Sequence, residues 1–130
     1  MEEGSLIQGD DPLTREIIGG AIEVHRALGP GLLESVYEEC LAHELMERGL
    51  KVARQVPLPV VFKGKRLDCG YRMDLIVNEL VILEIKAIER VLPVHEAQLL
   101  SYLKLSGKKV GLLLNFHVPY MRDGIVRRIL

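Results

Sequence analysis

The chain has 130 residues, enough for one domain with its own core, and a formal net charge of −1 from 17 basic and 18 acidic side chains. That balance lacks the clearly basic footprint of a dedicated nucleic-acid binder, although local patches decide contact. Apolar residues make up 48% and charged residues 27%, which excludes a disordered chain. No apolar run nears the roughly 20 residues of a membrane span.

Cys40 and Cys69 have no CxxC spacing and read as small core residues in a reducing compartment. The acidic start MEEGSLIQGDD lacks a signal-peptide core, so a soluble, cytoplasmic protein without a membrane partner is expected.

Residues 1–11 read as a mobile arm and residues 12–130 as a single domain. Asp11-Pro12 offers an N-cap followed by proline at the first helical position. Ile17, Ala21, Val24 and Leu28 then recur at helical spacing, predicting a helix over about 12–28. LGPG at 28–31 breaks it, and a second helix is expected over about 32–48. Its apolar face is Leu33, Val36, Tyr37, Cys40, Leu41 and Leu45, and Gly49 stands where a left-handed C-terminal residue belongs.

The middle of the chain changes period. VPLPVVFKGKRLDCGYRMDLIVNELVILEIKA is rich in β-branched residues and punctuated by Lys63-Gly64-Lys65 and Asn78-Glu79. It predicts three strands joined by two hairpins, with Pro57 and Pro59 demoting the first strand to an edge. Pro93 opens a third helix that Gly107 closes. KVGLLLNF at 109–116 reads as a strand buried on both faces, and GIVRRIL as a short final strand. The order is ααβββαβ(β), an α/β architecture.

The chemistry gathers in VILEIKA, residues 81–87. Side chains alternate along a strand, so Glu84 and Lys86 share one face while Leu83, Ile85 and Ala87 share the other. An odd number of loop residues at the Asn78-Glu79 turn would set Asp74 directly across from Glu84. A two-residue turn would pair Asp74 with Leu83 instead and send Glu84 to the opposite face. In the first register two carboxylates and an ammonium share a sheet face, a donor set that suits Mg²⁺ or Mn²⁺. Taken alone, the same spacing also describes a surface ion-pair cluster worth less than about 1 kcal/mol.

Further residues fall in order around this strand. Gly31, Glu34 and Tyr37 form G-x-x-E-x-x-Y, with Glu34 and Tyr37 one turn apart. An acid in the first turn of a helix is also favoured by the helix dipole alone. Gln98 and Tyr102 form Q-x-x-x-Y on the third helix, with His95 a turn upstream. His25 lies beside the apolar stripe of the first helix, where a histidine is ordinarily a packing residue.

The ordered set resembles the PD-(D/E)XK nuclease-like superfamily. More narrowly, EVHRALGPGLLESVYEECLAHEL with MDLIV, LEIKA and QLLSYLKLSGKKVGLLLNF resembles the GxxExxY proteins, from about residue 13 to the end. The resemblance implies a restriction-endonuclease-like core, a mixed central β-sheet flanked by helices. It implies that Asp74 and Glu84 bind Mg²⁺ or Mn²⁺, with the Ile85 carbonyl completing the shell and Lys86 assisting a metal-activated water. Glu34 matches a helical acid before the sheet, while the RecB-like branch suggests His25 as a further metal ligand and Gln98 and Tyr102 as active-site residues. YRM stands before Asp74 where the superfamily name has proline, and His95 has no counterpart.

The implied function is hydrolysis of DNA phosphodiester bonds, with RNA as an alternative substrate. Lys63, Lys65, Arg66, Lys104, Lys108, Lys109, Arg127 and Arg128 are candidate phosphate contacts, each equally consistent with solubilising surface charge. With the chain committed to the core fold, a homodimer or a larger nucleic-acid-processing complex is expected to supply a reading element. The competing reading is a catalytically silent module of the same fold that binds nucleic acid or a protein, since fold alone does not fix function.

Overall fold

The computed structural model describes residues 11–130; of the expected N-terminal arm, only Asp11 falls within them. Helix α1 spans Pro12–Leu28, and Asp11 caps it by accepting the Thr14 N–H at 2.7 Å. Helix α2 spans Glu34–Glu47, with Gly49 beyond it at φ 85°. Strand β1 covers Val52–Pro57, β2 Val60–Phe62, β3 Lys65–Leu67, β4 Arg72–Val77 and β5 Val81–Lys86. Helix α3 runs Pro93–Ser106 and ends on Gly107 at φ 77°, followed by β6, Val110–Asn115, and β7, Ile125–Ile129.

Among the described residues, five strands form one mixed sheet in the order β1-β4-β5-β6-β7. Only the β5–β6 pair within it is parallel, as the α3 crossover between them requires. Strand alternation sorts the side chains into two layers. Leu75, Val77, Leu83, Ile85, Leu112 and Leu114 face α1 and α2, meeting Ile17, Ala21, Leu41 and Leu45. Ile76, Ile82 and Leu113 face α3, meeting Leu99, Tyr102 and Leu103. Helix α3 sits close to the sheet because β6 carries Gly111, where an added Cβ would lie 2.7 Å from Leu99 Cδ1.

The middle of the chain departs from expectation. The strand that pairs with β4 is β1, beginning at Val52, earlier than the β-branched run suggests. The Lys63-Gly64 turn instead closes a separate two-stranded ribbon, β2–β3, outside the main sheet. Pro57 and Pro59 explain the break, since neither can donate to a ladder, and β1 ends at Pro57. Cys69 is also exposed rather than packed in the core, while Cys40 is half-buried.

Candidate active site

The turn between β4 and β5 decides the site. Val77 pairs with Val81, so the loop is the three residues Asn78, Glu79 and Leu80, with Asn78 and Glu79 at φ 51° and 59°. The odd count puts Asp74 opposite Glu84 on the α3 side of the sheet. Regular pairing stops at Leu75–Leu83, and side chains take over from the backbone ladder. Asp74 Oδ2 accepts the Ile85 N–H at 2.8 Å, and the Asp74 N–H donates to Glu84 Oε2 at 3.4 Å. A strand residue's N–H and C=O leave on the same side, so the Ile85 carbonyl faces this gap as well.

Burial makes both carboxylates costly to ionise. Glu84 is only 6% exposed, and its carboxyl is pushed up to about 8, first by burial and then by the charge of Asp74. Asp74 is raised too, chiefly by burial, with the Ile85 hydrogen bond opposing. Lys86 lowers both, but no salt bridge joins it to either acid among the described residues.

Two residues of this cluster escape the strand-based reading. Gln55 stands opposite Asp74 in the β1–β4 register and holds φ 51°, a left-handed conformation unusual for a side chain of its size. Its Nε2 donates to Glu38 Oε1 at 2.9 Å, to Glu38 Oε2 at 3.1 Å and to Asp74 Oδ1 at 3.4 Å. Glu38 is 7% exposed and lies one turn beyond Glu34 on α2. That i, i+4 spacing of two acids was the available signal for Glu38; nothing in the β1 sequence marks Gln55.

The G-x-x-E-x-x-Y stretch is a positioning device. Gly31 sits at φ 103°, which favours glycine. The Tyr37 hydroxyl donates to the Gly29 carbonyl and accepts the Leu32 N–H at 3.2 Å, while its ring stacks on Phe116 at 4.6 Å. This clamp fixes the start of α2, from which Glu34 Oε2 accepts the Ala87 N–H at 3.3 Å, next to Lys86. On the other side, Gln98 Nε2 donates to the Tyr102 hydroxyl at 3.1 Å. Burial first, and then the charges of Glu84 and Asp74, raise the pKa of the Tyr102 hydroxyl. Tyr71 meets the Tyr102 ring edge-on at 5.9 Å, and these residues line a cleft of about 450 Å³.

His25 is placed differently. Its Nε2 lies 2.7 Å from the Val118 carbonyl, and the residue lines a separate cleft of about 700 Å³ with Ile22 and Tyr120. Among the described residues it makes no hydrogen bond or ion pair with Asp74 or Glu84. His95 caps α3, its Nδ1 accepting the Leu92 N–H at 2.9 Å.

The profile of the PD-(D/E)XK nuclease superfamily matches residues 11–129, nearly the whole chain. The chain belongs to the PD-(D/E)XK nuclease superfamily. No curated protein and no solved structure matches it significantly. The mixed sheet flanked by helices is consistent with the restriction-endonuclease-like fold of that superfamily. As a superfamily member the chain carries its acid pair at the point where β4 and β5 part.

The donor set can be tested against a divalent cation. No group of three or more His, Cys, Asp or Glu side chains is arranged to hold a metal among the described residues. What converges is one buried and one half-buried carboxylate and a backbone carbonyl, all hard oxygen donors. That set fits Mg²⁺ or Mn²⁺, which commonly bind through one or two carboxylates and leave other positions to water and phosphate oxygens. The raised pKa values are consistent with this: burial first, and then the second acid, disfavour ionising the pair without a cation, and a bound cation would take the place of the proton.

Proposed function

We propose that this superfamily member is a metal-dependent nuclease that hydrolyses DNA phosphodiester bonds, with RNA as the alternative substrate. The observation that carries the reading is the Asp74–Glu84 pair, with Glu84 buried and Asp74 half-buried, adjacent and held by reciprocal contacts with the β5 and β4 backbone. A structural ion pair would need a cation in contact, whereas two acids held side by side favour a site for one. The finer kinship with GxxExxY proteins is supported by Gly31, Glu34 and Tyr37, which together set the start of α2.

In this reading Asp74, Glu84 and the Ile85 carbonyl hold Mg²⁺ or Mn²⁺. A cation bound there would supply Lewis-acid charge, acidifying water and stabilising charge on a phosphate. Lys86, on the same strand face as Glu84, presents its ammonium toward the scissile phosphate, stabilising developing charge or taking part in proton transfer to and from the attacking water. Glu34, beside Lys86, orients that water or the ammonium. Gln98 restrains the Tyr102 hydroxyl, which faces the acids from α3. His25 is left out of this shell, since it lines a separate cleft with its Nε2 against the Val118 carbonyl and forms no metal-holding group with the acids among the described residues.

Incubating plasmid and single-stranded DNA with the protein and Mn²⁺ tests the assignment. Lys86→Ala should lower the cleavage rate by roughly 10²–10³-fold, the range for losing one transition-state charge contact. Asp74→Asn should abolish metal-dependent cleavage. Cleavage that survives both substitutions would refute the assignment. Absence of cleavage and of Mn²⁺ binding together would favour the silent binding module.

A further inference from the structure

The β2–β3 ribbon stands outside the main sheet, and its surroundings suggest what it is for. It departs from the Pro57–Arg72 pair, the last of the β1–β4 ladder, and Asp74 is only two residues farther along β4. At the rise of a strand that is roughly 7 Å from the acid pair. Leu58 pins the root: it is 3% exposed, packs in the α3-side core, and its N–H donates to the Tyr71 carbonyl at 2.9 Å.

Beyond the root, every residue of β3 is exposed, and Val61 and Phe62 at the tip are 58% and 60% exposed. Residues 60–67 carry Lys63, Lys65 and Arg66 and no acid, in a chain whose net charge is −1. Lys63 Nζ lies 5.6 Å from the Phe62 ring centroid, so charge and aromatic surface share one tip. The turn is a two-residue loop with Lys63 and Gly64 at φ 50° and 76°, the tight form that keeps a ribbon slender. A two-stranded ribbon is marginal alone, and large apolar side chains at its tip have no folding role there.

We infer that this ribbon is a nucleic-acid-binding arm that grips duplex substrate beside the scissile phosphate. The inference rests on the nuclease reading and gives the chain a reading element of its own. A two-stranded ribbon fits the major groove of B-DNA. In the arm, Lys63, Lys65 and Arg66 contact phosphates while Phe62 and Val61 supply apolar contact with bases or sugars.

Fluorescence anisotropy with a labelled 20-base-pair duplex in Ca²⁺, titrated with KCl, tests the arm on the intact protein. Replacing Lys63, Lys65 and Arg66 together by Gln should reduce the slope of log K against log salt by about 2 to 3, since each phosphate contact contributes about 0.9. Phe62→Ser should weaken binding without changing that slope. Mn²⁺-dependent hydrolysis of bis(p-nitrophenyl) phosphate, too small to reach the arm, should be unchanged in both variants.

An unaltered salt slope in the triple variant overturns the inference. So does wild-type protein that binds no duplex, or an effect confined to phosphatidylserine vesicles or an acidic protein. If the slope is unaltered while bis(p-nitrophenyl) phosphate is still hydrolysed, the arm fails and the nuclease reading stands. A ribbon-dependent slope in a protein that neither binds Mn²⁺ nor hydrolyses phosphodiesters would leave the arm standing and remove the nuclease.

Discussion

Glu84 is buried beside Asp74, and its carboxyl is pushed up to about 8 chiefly by burial. Between the ordinary glutamate range and about 8, the folded metal-free protein therefore keeps a proton that the unfolded chain releases. Its stability is fullest below the unfolded pKa and is lost as pH rises through the folded one, by on the order of a few kcal/mol. Urea unfolding at several pH values should show this decline, and Glu84→Gln should flatten it. Mg²⁺ should restore stability at the alkaline end, because a cation takes the place of the proton.

Gln55 offers a second test at the same scale. Gln55→Gly suits the φ of 51° and should keep stability within about 1 kcal/mol, as relieved strain offsets the lost hydrogen bonds. Mn²⁺ affinity should nevertheless fall, because Asp74 Oδ1 and Glu38 lose the amide that holds them. Unchanged affinity would make Gln55 purely structural.

At the scale of elements, the geometry of the acid pair was legible only in conditional form. Alternation placed Glu84 and Lys86 on one face, but the partner of Asp74 depended on the length of the Asn78 turn. Asn78 settles that length through its backbone: it adopts φ 51°, its N–H donates to the Lys51 carbonyl, and its Oδ1 accepts the Lys51 N–H at 2.8 Å. Those contacts are with the residue before β1, a long-range partner that strand pattern does not reveal. The ribbon was hidden for a related reason, since VPLPVVF has the composition of one strand and only the prolines mark where it leaves the sheet. The helices were legible because their caps are local.

A companion element holds the far end of β5. Asn115, 2% exposed, accepts the Ile88 N–H at 3.0 Å and the His117 N–H at 3.2 Å through Oδ1, and donates from Nδ2 to the Ile88 carbonyl at 2.9 Å. It ties the loop leaving β5 to the end of β6, beside Lys86. Asn115→Ala strands these buried backbone groups and should cost about 3 kcal/mol in chemical denaturation. A loss below 1 kcal/mol would show that the loop is held by other means.

For the whole molecule, two layers of helices clamp a sheet whose strands part at one point, and the acids occupy that gap. Gln55 and Glu38 stand on one side of it, Gln98 and Tyr102 on another, and the basic ribbon rises from the same end of β1 and β4. Among the described residues no helix is long and apolar enough to cross a membrane. A near-neutral net charge does not count against the proposed action on DNA, because residues 60–67 gather three basic side chains and no acid. If Asp74 and Glu84 jointly hold a divalent cation, calorimetric titration of Mn²⁺ at pH 8 will detect it. The wild-type protein should bind saturably, and folded Asp74→Asn and Glu84→Gln variants should each lose that binding; binding that persists in both would exclude the shared site.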